Sequence, residues 1–343
     1  MIATEPTGFG GEALVQVGKT PLVEVDGIYS KMECTNPLGS IKDRIVTYII
    51  DESERRGLLK PGMEIVEASS GNTGIALAFF AKEKGYPLTI VMPENMSEER
   101  KRILEALGAK LVLCSEGNFA EAAQIRDEMV AKDPNCFNPD QFSNPLNVEC
   151  HYKTTGEEIL YQMRPEAERI DAFVAGVGTG GTLIGVGTRL REVFPDVKVI
   201  AVEPAESAVM SGGEPGMHGI QGIGDGFIPA IASDGKGGLH PLIDEVATCS
   251  TEEAKDTAQY LTNVKGLCVG ISSGANYMAA KMALEKYGTT VTIFPDGLSK
   301  YKSQGLERTV EGPCRYHKQC SCPIADICPK HQAGKACADD PEC

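Results

Sequence analysis

A chain of 343 residues is long enough for about two domains and needs neither disulfide nor metal merely to fold. At 42% hydrophobic and 24% charged residues, its composition excludes wholesale disorder. Lys+Arg 33 against Asp+Glu 48 leaves a net charge of −15, which repels a phosphate backbone and argues against a nucleic-acid partner. Apolar runs such as Ala76 to Ala81 are too short to span a membrane, and MIATEPTGFG carries no basic-then-apolar signal pattern. A cytoplasmic protein without a membrane or nucleic-acid partner is expected.

In chain order, Lys42 opens a helix whose apolar stripe is Ile41, Ile45, Tyr48 and Ile49. Met63 to Val66 reads as a short strand, followed by a helix that opens at Asn72 or Thr73 and is closed by Gly85. Leu88 to Met92 is a strand ended by Pro93, and Ser97 caps a helix to Leu107 that Gly108 stops. Strand Lys110–Leu113 and helix Phe119–Ala131 come next. Strand Ala172–Gly176 feeds a glycine loop and helix Leu183–Val193, and strand Val197–Val202 follows. Helices Glu252–Val264 and Ala275–Tyr287 precede strand Thr290–Phe294. Strands alternating with helices of this length predict an α/β fold with parallel sheets covered on both faces. The glycine-rich stretch Ser211–Gly238 is a long loop, a type that is usually functional in a compact domain.

Four segments carry candidate chemistry. Gly176-Val177-Gly178-Thr179-Gly180-Gly181-Thr182 follows a strand and opens a helix, so its N–H groups form an anion cradle. With Glu203 ending the next strand, the pattern also fits a dinucleotide fingerprint, which keeps an NAD-dependent oxidoreductase in view. Lys42, in Asn36-Pro37-Leu38-Gly39-Ser40-Ile41-Lys42-Asp43-Arg44, sits in a first helical turn whose dipole opposes its charge. That field, with desolvation, would free the amine for Schiff-base chemistry, although a lone lysine there reads first as a solvated surface group. Ser69-Ser70-Gly71-Asn72-Thr73-Gly74 offers hydroxyls, an amide and helix N–H groups suited to a carboxylate, or simply a capping loop. Gly270-Ile271-Ser272-Ser273-Gly274 matches G-x-S-x-G, but no apolar strand leads tightly into it and the only later histidines are His317 and His331.

NPLGSIKDR, SSGNTG, GVGTGGT and GISSGA in this order, with GKTPLVEV, VMPENMSEERKRILEALGA, QFSNPLN, HYKTTGEEI and HGIQGIGDGFIP, resemble the fold-type II pyridoxal-phosphate (PLP) enzymes of the cysteine synthase and cystathionine β-synthase family. The resemblance covers roughly residues 14 to 302, and HGIQGIGDGFIP is more like O-acetylserine sulfhydrylase. It implies a larger PLP-binding domain over 1–40 and 148–310, a smaller mobile domain over 41–147, and a homodimer. It further implies Lys42 as the Schiff-base lysine and base at Cα, and Asn72 on the cofactor's phenolic oxygen. Gly178, Thr179, Gly180 and Thr182 would hold the phosphate, with Ser272 facing the pyridine nitrogen. Ser69, Ser70, Thr73 and Gln141 would bind the substrate carboxylate, Ser69 standing where a threonine is commoner. The implied reaction is β-replacement on a serine-derived amino acid, most simply cysteine from O-acetylserine and sulfide. Asp225 stands where many relatives carry a small apolar residue; it either faces solvent or activates water, which would turn the reaction toward release of sulfide from cysteine.

Residues 311–343 form a separate cysteine-rich tail that ordinary relatives lack. Six of the 12 cysteines fall there; the other six, Cys34, Cys114, Cys136, Cys150, Cys249 and Cys268, read as small buried hydrophobes of a reduced compartment. Cys314, Cys320, Cys322 and Cys328 form C-x5-C-x-C-x5-C, with Cys337 and Cys343 beyond. Disulfides, structural zinc and an iron–sulfur cluster are the alternatives. Irregular spacing and two Cys-Pro pairs favour the cluster, with those first four cysteines as its ligands.

Overall fold

The computed structural model describes residues 16–311 and 314, leaving aside 70, 97, 117 and 118. In the first half of the chain the elements are β1 (Leu22–Val25), β2 (Ile28–Met32), α1 (Lys42–Arg55), β3 (Glu64–Ala68), α2 (Asn72–Lys84), β4 (Leu88–Pro93), α3 (Glu98–Ala106), β5 (Lys110–Cys114), α4 (Phe119–Lys132) and β6 (Cys136–Phe137). The second half runs through α5 (Pro145–His151), a π-helical turn over Tyr152–Gly156, α6 (Glu157–Met163), β7 (Ala172–Gly176), α7 (Gly181–Val193) and β8 (Lys198–Pro204). It ends with β9 (Glu245–Cys249), α8 (Thr251–Asn263), α9 (Ile271–Tyr287) and β10 (Thr290–Phe294). Two compact units result: one from the described residues up to Ile41 together with those from Phe142 onward, the other over Lys42–Gln141.

The first unit holds a six-stranded sheet in the order β1-β2-β10-β7-β8-β9, with every pairing parallel except β1 against β2. Side chains alternate across its strands. Ala172 and Val174 of β7 join Ala254, Ala258 and Leu261 of α8 and Ala275 and Ala280 of α9 in one core. Phe173 and Ala175 join Ile159 and Met163 of α6 and Leu183, Val186 and Leu190 of α7 in another. One strand therefore feeds two cores, which is why it reads as an unbroken apolar run.

The second unit is a four-stranded parallel sheet, β5-β4-β3-β6. Val66 and Val91 meet Ala122 of α4 in its core. Its α2 is closed by Gly85 in the left-handed region (φ 76°), a conformation glycine adopts without a Cβ clash.

Several boundaries differ from the sequence expectation, each for a physical reason. Strand β3 runs past Val66 through Glu67 and Ala68 because the Glu67 carboxylate is fully buried against Arg126 (3.1 Å), which a hydropathy pattern reads as a break. Helix α9 starts at Ile271 after an extended Gly270, so the residues from Ile271 to Gly274 form its first turn rather than a nucleophile elbow. Gly274 is required there, since a Cβ would overlap the Ala254 carbonyl oxygen of α8. Helix α8 starts at Thr251, where Ser250 and Glu253 form a reciprocal capping box. The Ser97 cap expected for α3 lies outside the described residues.

Candidate active site

In the first unit the glycine loop joins the end of β7 to the start of α7. Gly180 caps that helix with φ 86°, so the chain turns where a side chain would strain it. The loop lies against residues 222–225. A Cβ on Gly178 would overlap the Gly222 carbonyl oxygen, and one on Gly176 would come 2.7 Å from Ile223 Cγ2. Asp225 is exposed, and its Oδ2 stands 3.8 Å from that Gly178 position, so the carboxylate reaches the edge of the loop from solvent.

Both threonines of the loop are engaged by α5 and the turn that follows. Asn147 Nδ2 donates to Thr179 Oγ1 (2.9 Å), and the same amide fills the space a Gly181 Cβ would need. His151 Nε2 lies 3.2 Å from Thr182 Oγ1, and its Nδ1 lies 2.9 Å from Thr155 Oγ1 in the π-helical turn. Asn147 and His151 are spaced i, i+4 on α5 and both are buried, so one helical face orients both hydroxyls. Each such buried bond is worth about 1 kcal/mol, and an orphaned partner costs more. These two side chains were missed in the sequence reading. They lie in QFSNPLN and HYKTTGEEI, where the signal was present as a motif without a role.

Ser272 is buried in the first turn of α9. Beside it, Ser273 Oγ and Asn276 Oδ1 are buried with no hydrogen-bond partner among the described residues. Asn276 Nδ2 donates to Ile293 O (2.8 Å), and its Oδ1 lies 3.1 Å from the Gly176 Cβ position. The N-terminal turn of α9 thus abuts the start of the glycine loop.

The second unit holds the other expected residues. Lys42 is the first residue of α1 and half-buried; the residue before it, Ile41, donates its N–H to Pro295 O (2.8 Å) just beyond β10. Asn72 and Thr73 open α2. Thr73 Oγ1 donates to Gln141 Oε1 (2.7 Å), and Gly74 N–H donates to Ser69 Oγ (3.1 Å). Ser69, Thr73 and Gln141 are therefore brought together around the α2 N-terminus, while Ser70 lies outside the described residues. Under this loop, Glu67 accepts from the Ala68 N–H (2.9 Å) and from Arg126. Burial pushes the Glu67 carboxyl above the usual carboxylate range, against the pull of Arg126.

The pyridoxal-phosphate dependent enzyme family matches residues 13–296. The chain belongs to that family. Among its relatives, the cysteine synthase of Staphylococcus aureus strain N315 is 41% identical over 301 residues, covering 84% of this chain and 94% of that one. O-acetylserine sulfhydrylase isoform 3 of Entamoeba histolytica superposes with a TM-score of 0.78 at 41% identity, over 89% of this chain and 93% of that one. A hydrogen sulfide-producing enzyme of Fusobacterium nucleatum gives 0.79 at 40% identity, over 86% and 91%. Family membership makes PLP the cofactor and replaces the dinucleotide reading. The residues present fit that cofactor: the glycine loop leaves room only for backbone, two oriented hydroxyls meet a helix N-terminus where a phosphate is favoured, and buried polar atoms remain unpaired beside it.

The cysteine expectation is corrected in part. Cys268 and Cys314, with Cα atoms 6.1 Å apart, are paired as a disulfide, so Cys314 is not a metal or cluster ligand and Cys268 is not a free buried thiol. Cys320, Cys322, Cys328, Cys337 and Cys343 lie outside the described residues. Among the described residues no group of three or more His, Cys, Asp or Glu is arranged to hold a metal, and no helix is long and apolar enough to cross a membrane.

Proposed function

We propose that the chain makes cysteine from O-acetylserine and sulfide by β-replacement. The observation that carries this reading is its 41% identity to a cysteine synthase across 84% of its length, and the likeness to O-acetylserine sulfhydrylase supports it. When bound, PLP supplies the sink for the electron pair left at Cα. Lys42 is the residue to which the cofactor is tied, and its amine takes the Cα proton. Gly178, Thr179, Gly180 and Thr182 hold the phosphate, and Asn72 meets the phenolic oxygen. Ser69, Ser70, Thr73 and Gln141 receive the substrate carboxylate. Ser272 offers the ring nitrogen a neutral hydroxyl, which does not keep it protonated as a carboxylate would, so elimination and replacement are favoured over transamination. Acetate departs from Cβ, sulfide adds there, and the proton held by Lys42 returns to Cα. The same reading makes 41–147 the smaller, mobile domain and 1–40 with 148–310 the cofactor domain of a cytoplasmic homodimer.

A second reading rests on Asp225. Its carboxylate beside Gly178 would act as a base for water, running the chain from cysteine to sulfide, as the likeness to a sulfide-producing enzyme also allows. Turnover of O-acetylserine plus sulfide, compared with turnover of cysteine alone in wild type and Asp225→Ala, separates the two. Synthesis is expected to dominate and to survive the substitution; cysteine consumption that dominates and collapses in the variant would reverse the assignment.

A further inference from the structure

The Cys268–Cys314 pair stands apart from the site described above, in a setting built for exchange. Cys268 is half-buried, and Arg308 Nη1 lies 3.2 Å from its sulfur. Cys314 is buried at 9% exposure. The two are 46 residues apart, yet the chain between them is fastened so that they meet. Glu307 N–H donates to Gln259 Oε1 (3.0 Å), Asn263 Nδ2 donates to Glu307 O (3.3 Å), and Thr309 N–H donates to Asn263 Oδ1 (3.0 Å). Residues 307–309 are thereby held along α8 independently of the sulfur bond. On the other side, Leu298 N–H donates to Cys268 O (3.2 Å), Val269 bridges Gly297, and Gly270 N–H donates to Asp296 O (2.9 Å). Residues 307–309 and the backbone from Cys268 to Gly270 therefore carry hydrogen bonds of their own, so both approaches to the bond stay anchored when it is reduced. A guanidinium beside the sulfur stabilises the thiolate, which is the attacking species in exchange.

We propose that Cys268 and Cys314 are a reversible thiol–disulfide couple, closed by a small-molecule disulfide, that fastens the start of the C-terminal segment to the strip entering the helix that carries Ser272. The Cys268 thiolate attacks one sulfur of the small disulfide, and one thiolate leaves. The Cys314 thiolate then attacks the Cys268 sulfur of the mixed disulfide and expels the second. The protein loses two thiol protons and two electrons, and the small disulfide is reduced to two thiols. The attack falls to Cys268 because it is the more exposed sulfur and the one beside Arg308.

The test uses the PLP-loaded full chain equilibrated in glutathione buffers from fully reduced to fully oxidised, with the peptides mapped after alkylation. Under oxidising conditions the map is expected to contain one Cys268–Cys314 linked peptide, and under reducing conditions both residues alkylated. A loop of 46 residues implies that reduction lowers the thermal midpoint by about 5 °C. That drop is expected to vanish in Cys314→Ala and Cys268→Ser alike. In reduced protein, Arg308→Ala is expected to slow alkylation of Cys268 about tenfold. Cys268 that remains alkylatable in the most oxidising buffer, or Cys314 linked to a different cysteine, overturns the proposal. So does a midpoint drop that persists in both cysteine variants.

Discussion

The two ligand loops of this protein are built differently. In the glycine loop, neither threonine hydroxyl is left to find its own orientation: Asn147 and His151, one turn apart on α5, take hold of Thr179 and Thr182, and the Gly222 carbonyl and the Asn147 amide leave no room for a Cβ at Gly178 and Gly181 respectively. The Ser69–Gly74 loop is held within itself by Gly74 N–H to Ser69 Oγ and from outside by Thr73 Oγ1 to the Gln141 amide, above the buried pair of Glu67 and Arg126. The loop proposed to cradle the cofactor phosphate is thus pre-organised by a separate helix. In the loop proposed to receive the substrate carboxylate, the Thr73 and Ser69 hydroxyls are engaged by an amide and by a backbone N–H, partners that a bound carboxylate would displace. Pre-organisation favours tight binding of the resident group, whereas turnover requires that the amino acid be released.

The largest effect is expected from the ion pair. Arg126→Ala leaves the fully buried Glu67 uncompensated and should cost about 3 kcal/mol of stability, read by denaturant unfolding. If stability is unchanged, the carboxylate loop does not rest on that pair. Next, Gly178→Ala pushes a methyl group into the Gly222 carbonyl and should weaken PLP binding about 100-fold with little change in global stability. Equal losses in both would mean that the cradle is a structural turn and not a binding loop. Thr73→Ala should raise KM for the amino acid about fivefold while leaving PLP affinity alone, consistent with loss of one buried hydrogen bond. A fall in PLP affinity instead would erase the distinction between the loops.

The smallest effect concerns pH. Burial raises the Glu67 carboxyl above its ordinary value of 4.5, so the folded chain holds that proton more tightly than the unfolded chain. Its contribution to stability is present below that ordinary value and is lost as pH rises through the raised one. The stability of wild type relative to Glu67→Gln should therefore decline as pH rises above that ordinary value; a flat difference would show that burial does not outweigh the pull of Arg126.

The same contrast explains what was legible in the sequence. The glycine loop was legible as an anion cradle because glycines before a helix need a cause, whereas Lys42 alone read as a surface lysine, and only four motifs in order supplied the family. Alternating strands and helices gave the α/β architecture, since β7 and β8 are apolar on both faces. Glu67 was hidden because a charge inside a strand normally marks a solvent face, and only the fold brings Arg126 to it from 59 residues away. Asn147 and His151 act through other side chains, so nothing local marked them. The Cys268–Cys314 pair spans 46 residues, and spacing within the tail pointed to a cluster because one partner lies outside the tail.

The central claim is that PLP is tied to Lys42. Borohydride reduction of the loaded protein, followed by peptide mapping, tests it directly. The account predicts one phosphopyridoxyl group per chain, on the peptide containing Lys42, and none in Lys42→Ala together with loss of the visible absorption band. A label on any other lysine, or a visible band that survives in Lys42→Ala, would contradict it.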